Sequence, residues 1–170
     1  MTESAPWRYA IPWVRPGAAE TRIRLVADQD VRARVAKFLD IKAIDRLEAD
    51  VSARVWRDGM ALAGRINAEA TRTCGVTLEL FQETIDTPFE ICVVPEGSPN
   101  AVNLQDFEII VDIEADDPPD SIAGDSVDLA GYIVEALALA LDPFPRKPGA
   151  VFEPPVETTS LSPFAILRKL

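Results

Sequence analysis

The chain has 170 residues, 48% hydrophobic and 26% charged, which is ordinary for a globular protein and enough for one domain with its own core. Its 17 Lys and Arg stand against 28 Asp and Glu, a formal charge of −11 at pH 7 that confines any contact with a phosphate backbone to a local patch. It has no histidine and only two cysteines, Cys74 and Cys92, which excludes His-activated nucleophiles, imidazole acid–base chemistry and four-ligand zinc sites built from histidine and cysteine alone.

No apolar run reaches the roughly 18 to 20 residues that span a bilayer, and the N-terminus lacks the basic and then apolar pattern of an export signal. The expectation is a soluble cytoplasmic protein with reduced, mostly buried thiols and no membrane contact. A negative field of this size suits a basic protein partner.

Residues 1–20 mix Trp7, Tyr9 and Trp13 with Pro6, Pro12, Pro16 and Gly17, predicting an extended arm whose rings either cover the domain or dock a partner. Thr21 to Ala27 alternates Ile23 and Leu25 with Arg22 and Arg24, a short strand with one wet face. Asp28 then caps a helix with the apolar stripe Val31, Val35, Phe38 and Leu39 and a basic outer face of Arg32, Arg34 and Lys37. Leu47, Ala49, Val51, Ala53 and Val55 alternate with polar residues up to Asp58-Gly59, a hairpin signal. The return strand places Leu62, Gly64, Ile66, Ala68 and Ala70 on one face. Val76 to Val94 reads as a third strand with a bend or bulge at Pro88, which cannot donate to a ladder.

Beyond the loop Pro95–Asn100, Leu104 to Ile113 alternates Phe107, Ile109, Val111 and Ile113 and predicts a final strand. Glu114 to Asp125 is acidic and Pro-rich; it lacks the ligand spacing of an EF-hand and reads as a mobile, solvated loop. A helix follows, capped by Ser126 or Asp128 and ending before Pro143. Leu129, Ile133, Leu137 and Leu141 recur every fourth residue, and with Glu135 its sole charge the helix is apolar all round. Val151 to Ser160 is a linker. The terminal SPFAILRKL has Ser162 as N-cap, Pro163 in the first turn and Phe164, Ile166, Leu167 and Leu170 as apolar positions, a short helix that must dock to be stable, either back on its own domain or in the groove of a partner.

The expected fold is α+β: an antiparallel sheet of about five strands with two main helices, the second enclosed by the sheet and by the first helix or the arm, with flexible N- and C-terminal segments. Residues 1–150 form a single domain including the arm; 151–170 are linker and docking helix. P-loop, dinucleotide and nucleophile-elbow motifs are all absent. No catalytic residue, cofactor, metal ligand set or small-molecule substrate is assigned.

Two stretches look more specific than a solvated surface. In ATRTCGVTLELF, from Ala70 to Phe81, a Cys and a Gly break a strand pattern. In DPFPRKPGA, from Asp142 to Ala150, prolines hold Arg146 and Lys147 on a stiff backbone at low entropy cost, as suits a phosphate or an acidic partner.

These two stretches, with FEICVVPE, the last helix and SPFAILRKL, resemble from about Leu25 onward the YceD family, the bacterial and plastid large ribosomal RNA subunit accumulation proteins, in an alphaproteobacterial form. The resemblance implies a non-enzymatic role in the synthesis, processing or accumulation of large-subunit ribosomal RNA. Its partner is then ribosomal RNA or a basic ribosomal protein, met at Arg72, Arg146 and Lys147, with Phe164, Leu167 and Leu170 as docking residues. Many relatives carry Cys-x-x-Cys where this chain has Cys74-Gly75-Val76-Thr77, so Cys74 is read as structural. The alternatives are an acidic adaptor for a basic ribosomal protein and a metal-dependent RNA-processing enzyme using Asp116, Asp117 and Asp120.

Overall fold

The computed structural model describes residues 5–14, 17–101 and 117–152. In chain order come β1 (Ala10–Pro12), β2 (Thr21–Val26), α1 (Gln29–Phe38), β3 (Ala43–Trp56), β4 (Gly59–Thr73), β5 (Leu80–Pro95), β6 (Asp120–Ile122), β7 (Ser126–Asp128) and α2 (Leu129–Ala140). A five-stranded sheet has the order β2-β3-β4-β5-β6, and β1 and β7 form a separate pair. The class is the expected α+β, with one difference: β6 runs parallel to β5, so the sheet is antiparallel only through its first four strands.

Alternation dictates the sheet's two faces. Leu25, Leu47, Ala49, Val51, Ala53, Leu62, Ile66, Ala68, Ala70, Ile85 and Val93 are buried on one of them. The other carries charge pairs such as Arg65–Asp86 and Arg24–Glu48, exposed enough that each contributes little. Small residues on the core face let the strands and helices approach; a Cβ at Gly64 would stand 2.5 Å from the Asp50 carbonyl oxygen, and the Phe89 ring lies over that glycine.

Several local expectations are corrected. The β3–β4 turn is Arg57-Asp58, not Asp58-Gly59, because Trp56 pairs with Gly59 and only Arg57 takes a positive φ, 52°. Gly59 is needed instead for close approach, since a Cβ there would overlap the Val93 carbonyl oxygen. The β4–β5 register runs unbroken past Pro88, which is accommodated without a bulge on a stretch of β5 that has no further described strand beside it. Gly75 to Glu79 is a loop rather than strand. The acidic stretch read as mobile supplies β6, which contributes the sheet's fifth strand; Leu104 to Ile113 lies outside the described residues.

The Asp28 carboxylate accepts from Val31 N–H at 2.8 Å and so caps α1. At the other end Ile41 N–H bonds Ala36 O and Asp40 N–H bonds Lys37 O, with Asp40 left-handed at φ 52°: a Schellman closure. It folds Leu39 and Ile41 against the core and leaves Phe38, expected in the stripe, 53% exposed, with Ala36 in its place.

Helix α2 buries Leu129, Ala130, Ile133, Val134 and Leu137, worth about 1.5–3 kcal/mol for each large side chain. It packs on β5 and on the arm. Tyr9 O accepts from Leu129 N–H, Asp128 accepts from Tyr9 N–H instead of capping its own helix, and Trp7 and Ile11 are buried. The helix is not enclosed on all sides, however: Ala138, Leu139 and Ala140 are exposed. Among the described residues no helix is long and apolar enough to cross a membrane.

Candidate functional site

The two stretches singled out in the sequence meet at one end of the β4–β5 hairpin. Strand period carries Arg72 and Cys74 onto the sheet's core face, in step with Ile66, Ala68 and Ala70, so both are buried where the sheet ends. The chain reverses through Cys74–Glu79, closed by Cys74 N–H to Glu79 O and Leu78 N–H to Cys74 O, both 2.9 Å, with Leu78 at φ 61°.

Helix α2 delivers the tail onto this loop. Asp142 turns the chain by accepting from Phe144 N–H at 2.8 Å, and its carbonyl oxygen receives the Arg72 guanidinium at 2.6 Å. Pro145 O then accepts from Gly75 N–H at 2.8 Å, and Lys147 Nζ donates to Glu79 Oε2 at 2.8 Å. Pro148-Gly149 closes a type II turn, with Gly149 at φ 80° and Ala150 N–H on Lys147 O.

The three cations proposed for partner contact fall into different environments here. Arg72 is 7% exposed and committed to Glu83 at 2.9 Å and to Asp142 O. Lys147 is half-exposed and paired with Glu79; their hydrogen bond raises the pKa of the lysine and lowers that of the glutamate. Arg146 is exposed and makes no hydrogen bond or ion pair with any described residue. Exposed apolar side chains lie on the same loop, at the start of β5 and on the tail: Leu78, Leu80, Phe144, Val151 and Phe152. Phe164, Leu167 and Leu170 lie outside the described residues.

Cys74 sits at the centre with no exposed surface. The Thr77 hydroxyl, then the N–H groups of Thr77, Lys147 and Val76, favour its thiolate against the opposing cost of burial and bring its pKa from an ordinary 9.0 to about 6. The Val76 and Thr77 amides stand 3.4 Å from Sγ. A sulfur so covered organises the loop and cannot itself meet a substrate. Cys92, opposite Ala61 at the far end of the ladder, is not joined to it by a disulfide.

Sequence reasoning missed Glu79, which ties Lys147 to the loop, because nothing in a linear pattern pairs residues 68 positions apart, and Glu83, which pairs with Arg72 across the β4–β5 ladder. The acidic-loop reading places Asp116 outside the described residues; Asp120 accepts from Tyr132 Oη at 3.0 Å, and the described residues contain no cluster of three metal-ligating side chains.

A model of the YceD family, described as large ribosomal RNA subunit accumulation protein, matches residues 62–170, well over half of the chain. The match takes in β4, β5, α2 and the tail, and begins later than the Leu25 from which the resemblance was read. No curated protein and no solved structure matches.

Proposed function

The chain belongs to the YceD family of large ribosomal RNA subunit accumulation proteins, and from that premise we propose that it is a non-enzymatic, cytoplasmic factor for the synthesis, processing or accumulation of large-subunit ribosomal RNA, docking by the hairpin and tail. The observation that carries this reading is the bond from Gly75 N–H to Pro145 O, which straps the tail to the loop and presents Arg146 outward between prolines. A cation fixed in this way loses little entropy on meeting a phosphate or a carboxylate. Lys147 adds a second cation, since its ion pair is solvated at both ends and exchanges readily for a partner's anion. Arg72 contributes from beneath by holding the tail's first carbonyl.

Crosslinking in cells followed by identification of the bound molecules tests the proposal. The expected products are large-subunit ribosomal RNA or its proteins, joined near Arg146. Crosslinks to neither would sink it. The formal charge of −11 favours a second reading, an acidic adaptor for a basic ribosomal protein without RNA contact. Capture of such a protein that survives ribonuclease digestion selects the adaptor, and capture lost on digestion selects RNA.

A further inference from the structure

The core face of the sheet continues past α2. On β5 the side chains of Phe89 and Ile91 are only half-buried, and across from them α2 leaves Leu139 81% exposed and Ala140 uncovered. Between the two runs an open groove of about 320 Å³, lined also by Pro88, Ala136 and Glu135. Tyr132, held by Asp120, also lines it. An apolar strand flank and an apolar helix flank thus face each other with nothing described between them.

We propose that this groove is the seat of the chain's own C-terminal segment, residues 162–170. The inference is independent of the functional reading above. The segment's apolar positions Phe164, Ile166, Leu167 and Leu170 have the spacing of one helix face. A helix this short is unstable in water without a surface to bury that face on. Residues 163–170 as a helix measure about 12 Å, the length of α2 from Tyr132 to Ala140.

The charges match: Arg168 and Lys169 end the segment, and Glu135, which lines the groove, has no ion pair with a described residue. The chain also reaches. The tail is fixed beside Glu79 through Lys147, the groove begins about 26 Å along β5 at Thr87, and the linker 153–161 extends to about 30 Å. A single chain therefore supplies both the groove and a segment of matching length, polarity and charge.

Hydrogen exchange on the full-length chain, read by mass spectrometry, tests the assignment. The amides of residues 164–170 are expected to exchange at least about tenfold more slowly than an unstructured peptide. Leu139→Glu alters a side chain that is already exposed, so the fold stands, and it returns those amides to the unstructured rate. Glu135→Lys produces a smaller loss, and Lys169→Glu in that background recovers it. Three outcomes overturn the proposal: unprotected amides in the unaltered chain, protection indifferent to Leu139→Glu, and protection that grows with protein concentration alongside a dimer in sedimentation, which would seat the segment on a second copy.

Discussion

The two ends of the β4–β5 ladder are closed by different chemistry. At the Gly59 end closure is steric: Gly59, Met60, Ala61 and Leu62 are all buried, and the backbone of Val93 and Val94 lies where a side chain of Gly59 would be. At the Cys74 end closure is polar: a buried arginine and a loop amide are satisfied by a carboxylate of β5 and by carbonyls of the tail after α2, and a buried sulfur accepts from amides of its own loop. Shape fixes the first end without charge. The second is held by charged and polar groups, and the exposed Arg146 lies on the tail that they hold.

The largest effect should come from adding one carbon at the steric end. Gly59→Ala must push β4 away from β5 and is expected to cost about 3 kcal/mol in urea unfolding, near the top of the overpacking range. A loss below about 1 kcal/mol would mean that the turn yields and that the contrast between the ends is overstated. At the polar end Arg72→Leu leaves Glu83 and the Asp142 carbonyl without their donor. With Glu83 partly solvated, about 2 kcal/mol is expected, less than for a fully buried pair. The same variant should speed hydrogen exchange at Gly75, whose amide is bonded to the tail; unchanged exchange there would show that the tail is held without Arg72.

How much of this was legible follows the same division. Strands β2 to β5, their faces and both helices could be read because alternation and the i, i+4 pattern are local and report burial directly: Leu47 through Ala53 and Leu62 through Ala70 behave as their spacing says. Gly59 was noticed for the wrong reason, since only the neighbouring strand reveals that its lack of a side chain matters more than its φ. The parallel strand β6 was hidden in an acidic stretch, because three residues gain their pairing from β5 and carry no pattern of their own. The candidate site was half legible. Both of its segments stood out, yet their meeting depends on contacts such as Arg72 with Asp142, 70 residues apart. The basic residues were read as alike, and burial alone separates Arg72 from Arg146.

The polar end should also respond to pH, where the steric end should not. Cys74 loses its proton with a pKa of about 6 in the folded chain against 9.0 for an ordinary thiol. Between those values the unfolded chain binds more protons, so stability rises with pH from 6 to 9, is fully present above that window, and is lost as pH falls through 6. Comparing urea midpoints of the unaltered chain and Cys74→Ala at several pH values isolates this contribution. The difference between the two should widen from pH 6 to 9, and a constant difference would mean that the loop donors do not hold a thiolate.

The smallest effect on stability, and the sharpest on the comparison, belongs to Arg146→Ala with Lys147→Ala. Arg146 makes no hydrogen bond or ion pair with a described residue, and the Lys147–Glu79 pair is exposed on both sides, so the melting temperature of this double variant should match that of the parent chain. Recovery of ribosomal RNA or ribosomal protein crosslinks should nevertheless fall. The prolines around both positions keep the tail in place, and the backbone bond from Gly75 to Pro145 needs neither side chain. Unfolding at lower temperature with crosslinks intact would reverse the assignment: the cations would then serve the closure of the hairpin, and the surface that meets the partner would lie elsewhere.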